Sequence, residues 1–201
     1  MRASHLAIAI VAAMIVLTGC KRPEEPPAAA PAEPQVAEPA EPVAAPSVPE
    51  GFQHDPAFDA SGYFMTQTPV QAGNYKLRHI AIGAPSDFAQ WEAGGRTVFG
   101  PILFHFDDVT SPKQTNELGG EAHTVSTRVL PQSYRFTPGD VTFRGVDPKL
   151  GEVVFSGSFD EAAFTAARQN GGSDGAPVLM GSLQVGAERI RNISFSYWVG
   201  D

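Results

Sequence analysis

Residues 178–199, Val178-Leu179-Met180-Gly181-Ser182-Leu183-Gln184-Val185-Gly186-Ala187-Glu188-Arg189-Ile190-Arg191-Asn192-Ile193-Ser194-Phe195-Ser196-Tyr197-Trp198-Val199, decide the fold class. They read as two strands, 178–185 and 189–199, joined across Gly186-Ala187-Glu188. A short Gly-containing link between two apolar, β-prone runs is a hairpin signal. Because Tyr197 and Trp198 end the second arm, the chain finishes inside the sheet. Before the hairpin, the run 152–159 places Val153, Phe155, Gly157 and Phe159 on one side, with Ser156 and Ser158 opposite. The run 141–146 alternates. Tyr134-Arg135-Phe136 follows Pro131, and residues 124–130 carry β-branched side chains. Ile102-Leu103-Phe104-His105-Phe106 is apolar and bounded by Pro101 and Asp107-Asp108. Residues 75–82 alternate through Tyr75 and Leu77, then less cleanly into Ile80 and Ile82.

These runs recur at roughly 8–12 residues, the spacing of all-β domains. Two short helices interrupt them. Ser86, after Pro85, is placed to cap a helix containing Phe88 and Trp91. Asp160 is placed to cap residues 161–169, where Ala163, Phe164 and Ala167 share a face and Asn170-Gly171-Gly172 stop the helix. No regular long helices separate the strands, which argues against a parallel βαβ sheet. The expected fold is mainly β: an antiparallel β sandwich or partly closed barrel with two short helices. Residues 51–74 are rich in turn formers and read as a wrapping segment with a short strand near 63–66.

The rest of the chain is built differently. Of its 18 prolines, nine lie within residues 21–50, a stretch of Pro, Ala, Glu and Val with no aromatic residue. Such composition cannot bury enough surface to offset its ordering entropy and reads as an extended tether. At about 3.1 Å per residue it reaches roughly 90 Å when fully extended. Before it come Arg2, the apolar run 6–17, and Leu17-Thr18-Gly19-Cys20. The run is short of the ~20 apolar residues a spanning helix needs and ends at small residues and two cations, the pattern of an export signal.

Leu17-Thr18-Gly19-Cys20 resembles the lipobox of bacterial lipoproteins. The resemblance implies cleavage between Gly19 and Cys20, diacylglycerol on the Cys20 sulfur and acylation of the new amino group. Two or three acyl chains give stable membrane attachment where one does not. Lys21, rather than Asp, at the next position implies sorting to the outer membrane by resemblance to Gram-negative lipoproteins. The expected organisation is a signal peptide (1–19), a lipidated Cys20 with its disordered tether (20–50), and a β-rich periplasmic domain (51–201). Cys20 is the single cysteine, so no disulfide holds that domain. The domain carries 11 Lys and Arg against 16 Asp and Glu, a net of −5, and the whole chain carries −8. That balance argues against nucleic acid.

Several clusters carry candidate chemistry. His105 and Asp107 point to one face of a strand, and with His79 or His123 from a neighbouring strand they offer nitrogen and oxygen to a metal. The alternative is a strand end with Asp107-Asp108 opening a turn. Residues 170–175, Asn-Gly-Gly-Ser-Asp-Gly, offer oxygens but lack the spaced carboxylates of a calcium loop. Phe155-Ser156-Gly157-Ser158-Phe159 is not a nucleophile elbow. Glu117, Glu121 and Asp140 are candidates for an acid–base pair, with solvated loop carboxylates as the alternative. Phe52, Phe58, Tyr63, Phe64, Tyr197 and Trp198 are core aromatics or, if exposed, a partner surface.

With no cofactor motif, the leading expectation is a non-enzymatic binding module. It would be an outer-membrane lipoprotein presenting its β domain to an envelope protein or the cell wall, one version being an inhibitor or immunity protein. The alternatives are a small periplasmic enzyme or ligand carrier using a pocket in the β domain, and a structural subunit of an envelope or secretion complex.

Overall fold

The computed structural model describes residues 49–115 and 119–200, all within one unit, Pro42–Asp201. The lipobox, Cys20, most of the tether and Glu117 lie outside the described residues. The elements are β1 (Phe52–His54), β2 (Gly62–Thr66), β3 (Gln71–Ala72), β4 (Tyr75–Ile82), α1 (Pro85–Glu92), β5 (Ile102–Asp108), β6 (Lys113–Thr115), β7 (Glu121–His123), β8 (Ser126–Val129), β9 (Pro131–Phe136), β10 (Val141–Asp147), β11 (Gly151–Phe159), α2 (Glu161–Gln169), β12 (Pro177–Val185) and β13 (Glu188–Trp198). Among the described residues no helix is long and apolar enough to cross a membrane.

The fold is mainly β, as the strand spacing predicts. One 11-stranded sheet runs β1-β9-β10-β11-β12-β13-β2-β4-β5-β8, with β3 paired to β4; β6 and β7 form a small second sheet. Every pair in the large sheet is antiparallel except the β1–β9 pair, which is parallel. The 178–199 hairpin forms as read. Its second arm, β13, is interior to the sheet, with β12 on one side and β2 on the other.

The connection from β8 to β9 curls the sheet. These strands lie toward opposite ends of its order, yet only Leu130 separates them in sequence. One residue spans no more than about 3.6 Å, so the two ends must come together, giving a half-barrel. Gly145 of β10 makes that approach possible. A Cβ there would lie 2.6 Å from the Leu130 carbonyl oxygen and 2.7 Å from Val129 Cγ1. The Thr127 hydroxyl of β8 donates to Asp147 Oδ2 of β10 at 2.8 Å across the same seam. Pro131, which has no N–H to give a ladder, opens β9, where strand prolines belong.

The interior is filled. Phe64, Phe104, Phe143, Phe155, Phe195 and Leu183 are buried there with the β-branched residues between them. At one end Phe58, Phe136, Phe159 and Phe164 pack with ring centroids 5.1–6.1 Å apart. Phe164 comes from α2, which begins as expected with Asp160 Oδ1 accepting the Ala163 N–H at 2.9 Å. The start of α1 differs from expectation. Its cap is Ala84, Pro85 takes the first helical turn, and the Asp87 carboxylate reaches back to the Ala84 N–H at 2.8 Å. Asp87 three residues on supplies the acceptor that Ser86 was expected to supply, so the helix starts two residues earlier.

Candidate functional site

The imperfect alternation within residues 75–82 has a structural cause. Leu77 of β4 pairs with Phe106 of β5, and the next ladder pair is His79 with His105. Arg78 is therefore an extra residue, a β-bulge. The bulge resets the side-chain period. Leu77, Ile80 and Ile82 all face the core, while Arg78 and His79 both reach the outer face. On β5 the outer face carries Leu103, His105 and Asp107, opposite the core residues Ile102, Phe104 and Phe106.

His105 has a ladder partner on each side: His79 of β4 and Arg128 of β8. Directly opposed residues have Cβ atoms about 4.5–5.5 Å apart, so His79, His105 and Arg128 form a row across three strands. The two imidazoles meet edge to face at 4.9 Å between centroids, and Tyr63 of β2 closes on His79 at 5.1 Å.

This row floors an open cleft of about 870 Å³. Its floor continues through Ala81 and Leu103; its walls are Gln90 and Trp91 of α1, Thr97 and Phe99 of the following loop, and Tyr197 and Val199 near the C-terminus. The walls are held firmly. Tyr197 is buried and its hydroxyl donates to the Ser61 carbonyl at 2.9 Å. α1 is tied down by Glu92, whose Oε1 accepts from the Tyr134 hydroxyl at 3.1 Å and meets His54 Nδ1 at 2.8 Å. Burial, reinforced by the adjacent Glu92 charge, raises the Tyr134 hydroxyl above its ordinary pKa and keeps it a donor. Arg96 lies over the Trp91 ring at 4.5 Å, and Arg128 lies over Phe99 at 5.1 Å.

Burial depresses both histidines. Desolvation, then the neighbouring His105 and the Arg78 and Arg128 charges, push His79 down to about 4. His105 is lowered by burial and by Arg78 and Arg128, against an opposing pull from Asp107. Both rings are neutral at pH 7. The cleft still carries two guanidinium charges on a chain of net charge −8. Arg78 Nη1 lies 3.8 Å from Asp107 Oδ1, close enough for an ion pair but too long for a hydrogen bond. Asp87, the acidic residue lining the cleft, has its carboxylate engaged in the α1 cap. Two buried polar atoms of the lining lack any hydrogen-bond partner: His105 Nε2 and Trp91 Nε1.

The structure brings His105, Asp107 and His79 to one region of one face. His123 is elsewhere, in the small sheet, with Nδ1 at 3.1 Å from the Ser111 carbonyl. Among the described residues no group of three His, Cys, Asp or Glu side chains is arranged to hold a metal, and two arginines beside the imidazoles repel a cation. The carboxylates proposed for acid–base work are spent separately: Glu121 pairs with Lys113 at 3.3 Å and Asp140 with Arg135 at 3.1 Å. Loop 170–175 bonds to itself, Asn170 Nδ2 donating to Asp174 Oδ2 at 3.0 Å and the Gly172 N–H to Asn170 Oδ1 at 2.9 Å. Ser156 lies in the middle of β11. Neither cleft imidazole is hydrogen-bonded to a hydroxyl, the arrangement an activated nucleophile needs.

The residues missed by sequence reading are Arg78, Arg128 and Trp91 as cleft members, and Tyr63 as more than core. The signal that would have found Arg78 is the break in period 2 between Leu77 and Ile80. Arg128 has no such signal, because its place beside His105 depends on a long-range register. A scan against protein-family models matches no family, and searches of curated proteins and of solved structures return no match.

Proposed function

We propose that this chain is an envelope lipoprotein, anchored through Cys20, whose β domain is a binding module that takes a small molecule in the outer-face cleft. The observation that carries the reading is the cleft itself. Its 870 Å³ falls in the ~300–1,000 Å³ range of ligand sites, and it combines apolar walls with a few convergent polar groups. The filled interior favours this location over the inside or mouth of the half-barrel. The anchor rests on the lipobox resemblance, and the tether gives the domain reach from an outer-membrane attachment.

A second reading, a protein or cell-wall partner that includes the inhibitor version, is favoured by the apolar rim. Val98, Phe99, Trp198 and Val199 are all exposed, at 69%, 65%, 41% and 53%, and Phe99 and Val199 border the cleft.

The test is to purify the full chain in detergent from its own envelope, denature it and identify released compounds by mass spectrometry. Two cleft-filling variants, Ala81→Trp and Thr97→Trp, are run beside it. A compound recovered with the parent and lost with a folded variant is the expected result. No released compound, or the same yield from all three, refutes the cleft reading. For the address, Cys20→Ser should free the chain from membranes and end acyl labelling; continued labelling and membrane retention would refute it.

A further inference from the structure

We infer that the cleft recognises an organic anion: a carboxylate or phosphate group seated against the His79–His105–Arg128 row and Arg78, carried on an apolar, ring-sized body that lies over Ala81 and Leu103. This rests on the cleft reading and names its ligand class.

The row lacks a bonding partner. His105 is nine-tenths buried and lines the cleft, yet its Nε2 has no partner. Leaving a buried polar atom unpaired is costly, so an unpaired one in a ligand-sized cleft marks a place where a ligand completes the bonding. Trp91 Nε1, also buried and unpartnered in the lining, is donor-only, so its missing partner is an acceptor.

The sign of the ligand follows from the surrounding charges. Arg128 makes no ion pair or hydrogen bond among the described residues; its guanidinium rests on Phe99. Arg78 is held to Asp107 only at 3.8 Å. Two under-used guanidiniums beside two imidazoles, each with an N–H to donate, form a donor-rich set suited to an oxyanion. The groups facing the imidazoles are Tyr63 from β2, Arg78 from β4, Asp107 from β5, Arg128 from β8 and Asp87 from α1. Of these only Asp107 and Asp87 are acidic: Asp87 is engaged in the α1 cap, and Asp107, whose buried Oδ1 has no hydrogen-bond partner, faces Arg78 at 3.8 Å, which offsets its charge. An anion seated there stabilises protonated imidazole, so its binding takes up a proton and tightens as pH falls from 7 toward 5.

The body follows from size. A bare phosphate or carboxylate fills a small part of 870 Å³. The remainder is bounded by Leu103, Ala81, Ile82, Trp91, Phe99 and Val199, which suit an apolar ring or short chain.

The test is calorimetric titration of the full chain at pH 7 and pH 5.5 with phenyl phosphate, phenylacetate, inorganic phosphate and benzylamine. At least one phenyl anion should bind, tightening at the lower pH. Inorganic phosphate should bind at least tenfold more weakly, and benzylamine not at all. Arg78→Gln and Arg128→Gln, both exposed side chains whose folding is checked by melting temperature, should each weaken the phenyl anion at least tenfold. No binding by any probe, benzylamine binding as well as the anions, or affinity unchanged in the Arg78→Gln/Arg128→Gln double variant overturns the inference. Inorganic phosphate binding as tightly as phenyl phosphate overturns the apolar body. A neutral or cationic compound released from the envelope-purified protein leaves the cleft reading standing and sinks the anion.

Discussion

Replacing Gly157 with alanine tests the packing that lets the half-barrel close around its aromatic interior. Gly157 of β11 lies directly opposite Gly181 of β12 in the ladder. The two glycines leave a hollow over which the Phe155 ring lies. A Cβ on Gly157 would stand 2.3 Å from the Met180 carbonyl oxygen and 2.8 Å from Phe155 Cζ, against ordinary contacts of 3.4–4 Å. A side chain at the obstacle could rotate away, but the Met180 carbonyl belongs to a paired strand. Relief requires β11 and β12 to part by about an ångström, loosening ladder hydrogen bonds. Overpacking costs about 1–3 kcal/mol, and a backbone obstacle puts this case near 3 kcal/mol. For a domain of about 150 residues that lowers the melting temperature by about 6–12 °C. Thermal melts followed by circular dichroism measure it, with Ser156→Ala as the control expected to change little. Adding Phe155→Leu to Gly157→Ala removes the ring clash but not the carbonyl clash, and replaces one cost with a cavity, so it should not restore stability. A Gly157→Ala protein melting within 2 °C of the parent would refute this account of the glycine pair.

Two further predictions concern the histidine row. His79 sits at about 4 in the folded protein against an ordinary 6.5, so the unfolded chain binds a proton that the folded one refuses. Stability is therefore full above pH 6.5 and is lost as pH falls toward 4. At about 1.4 kcal/mol per pH unit the effect is roughly 3 kcal/mol unscreened; His79 is only partly buried, and screening reduces it to about 1–2 kcal/mol. Urea melts at pH 7 and pH 4.5 should show this loss, smaller in His79→Gln, and equal losses in parent and variant would refute it. The second concerns the unpaired His105 Nε2. His105→Leu keeps similar volume and removes that atom, so it should stabilise the ligand-free protein by about 1 kcal/mol while weakening the phenyl anion. Destabilisation by more than 1 kcal/mol in equilibrium unfolding would mean that His105 serves the fold instead.

Much of the fold is legible in local pattern. The hairpin at 178–199, the alternation in 152–159 and the Asp160 cap depend on near neighbours, and all appear where the residues place them. What local pattern cannot reach is register across the sheet. Nothing in residues 124–130 says that Arg128 will stand beside His105, because that pairing joins strands separated by the 113–123 excursion. Nor does Leu130 announce a corner that joins opposite ends of a sheet; the single-residue link acquires that meaning only when the partners of β8 and β9 are known. The parallel β1–β9 pair was illegible for the same reason. His105 and Asp107 were legible as a same-face pair, since strand alternation alone supplies it, but the chemistry they share is set by the arginines brought from either side.

The position of the cleft follows from the same physics as the fold. Phe side chains fill the curl of the sheet, and the cleft lies instead where the outer face is partly covered. Full exposure would leave Leu103 in water, and full cover would leave His105 sealed without a partner. α1 and the loop after it lie between these extremes. Glu92, His54 and Tyr134 hold the helix, and Phe99 reaches back over Arg128, but the space above Ala81 stays open. The bulge at Arg78 matters because of that partial cover. In an unbroken strand one of Arg78 and His79 would point into the aromatic core, where a charge or an unpaired imidazole is costly. One extra residue turns both outward where α1 and the loop after it half-roof the outer face. It is thus one feature of the chain that both preserves the core and builds the site.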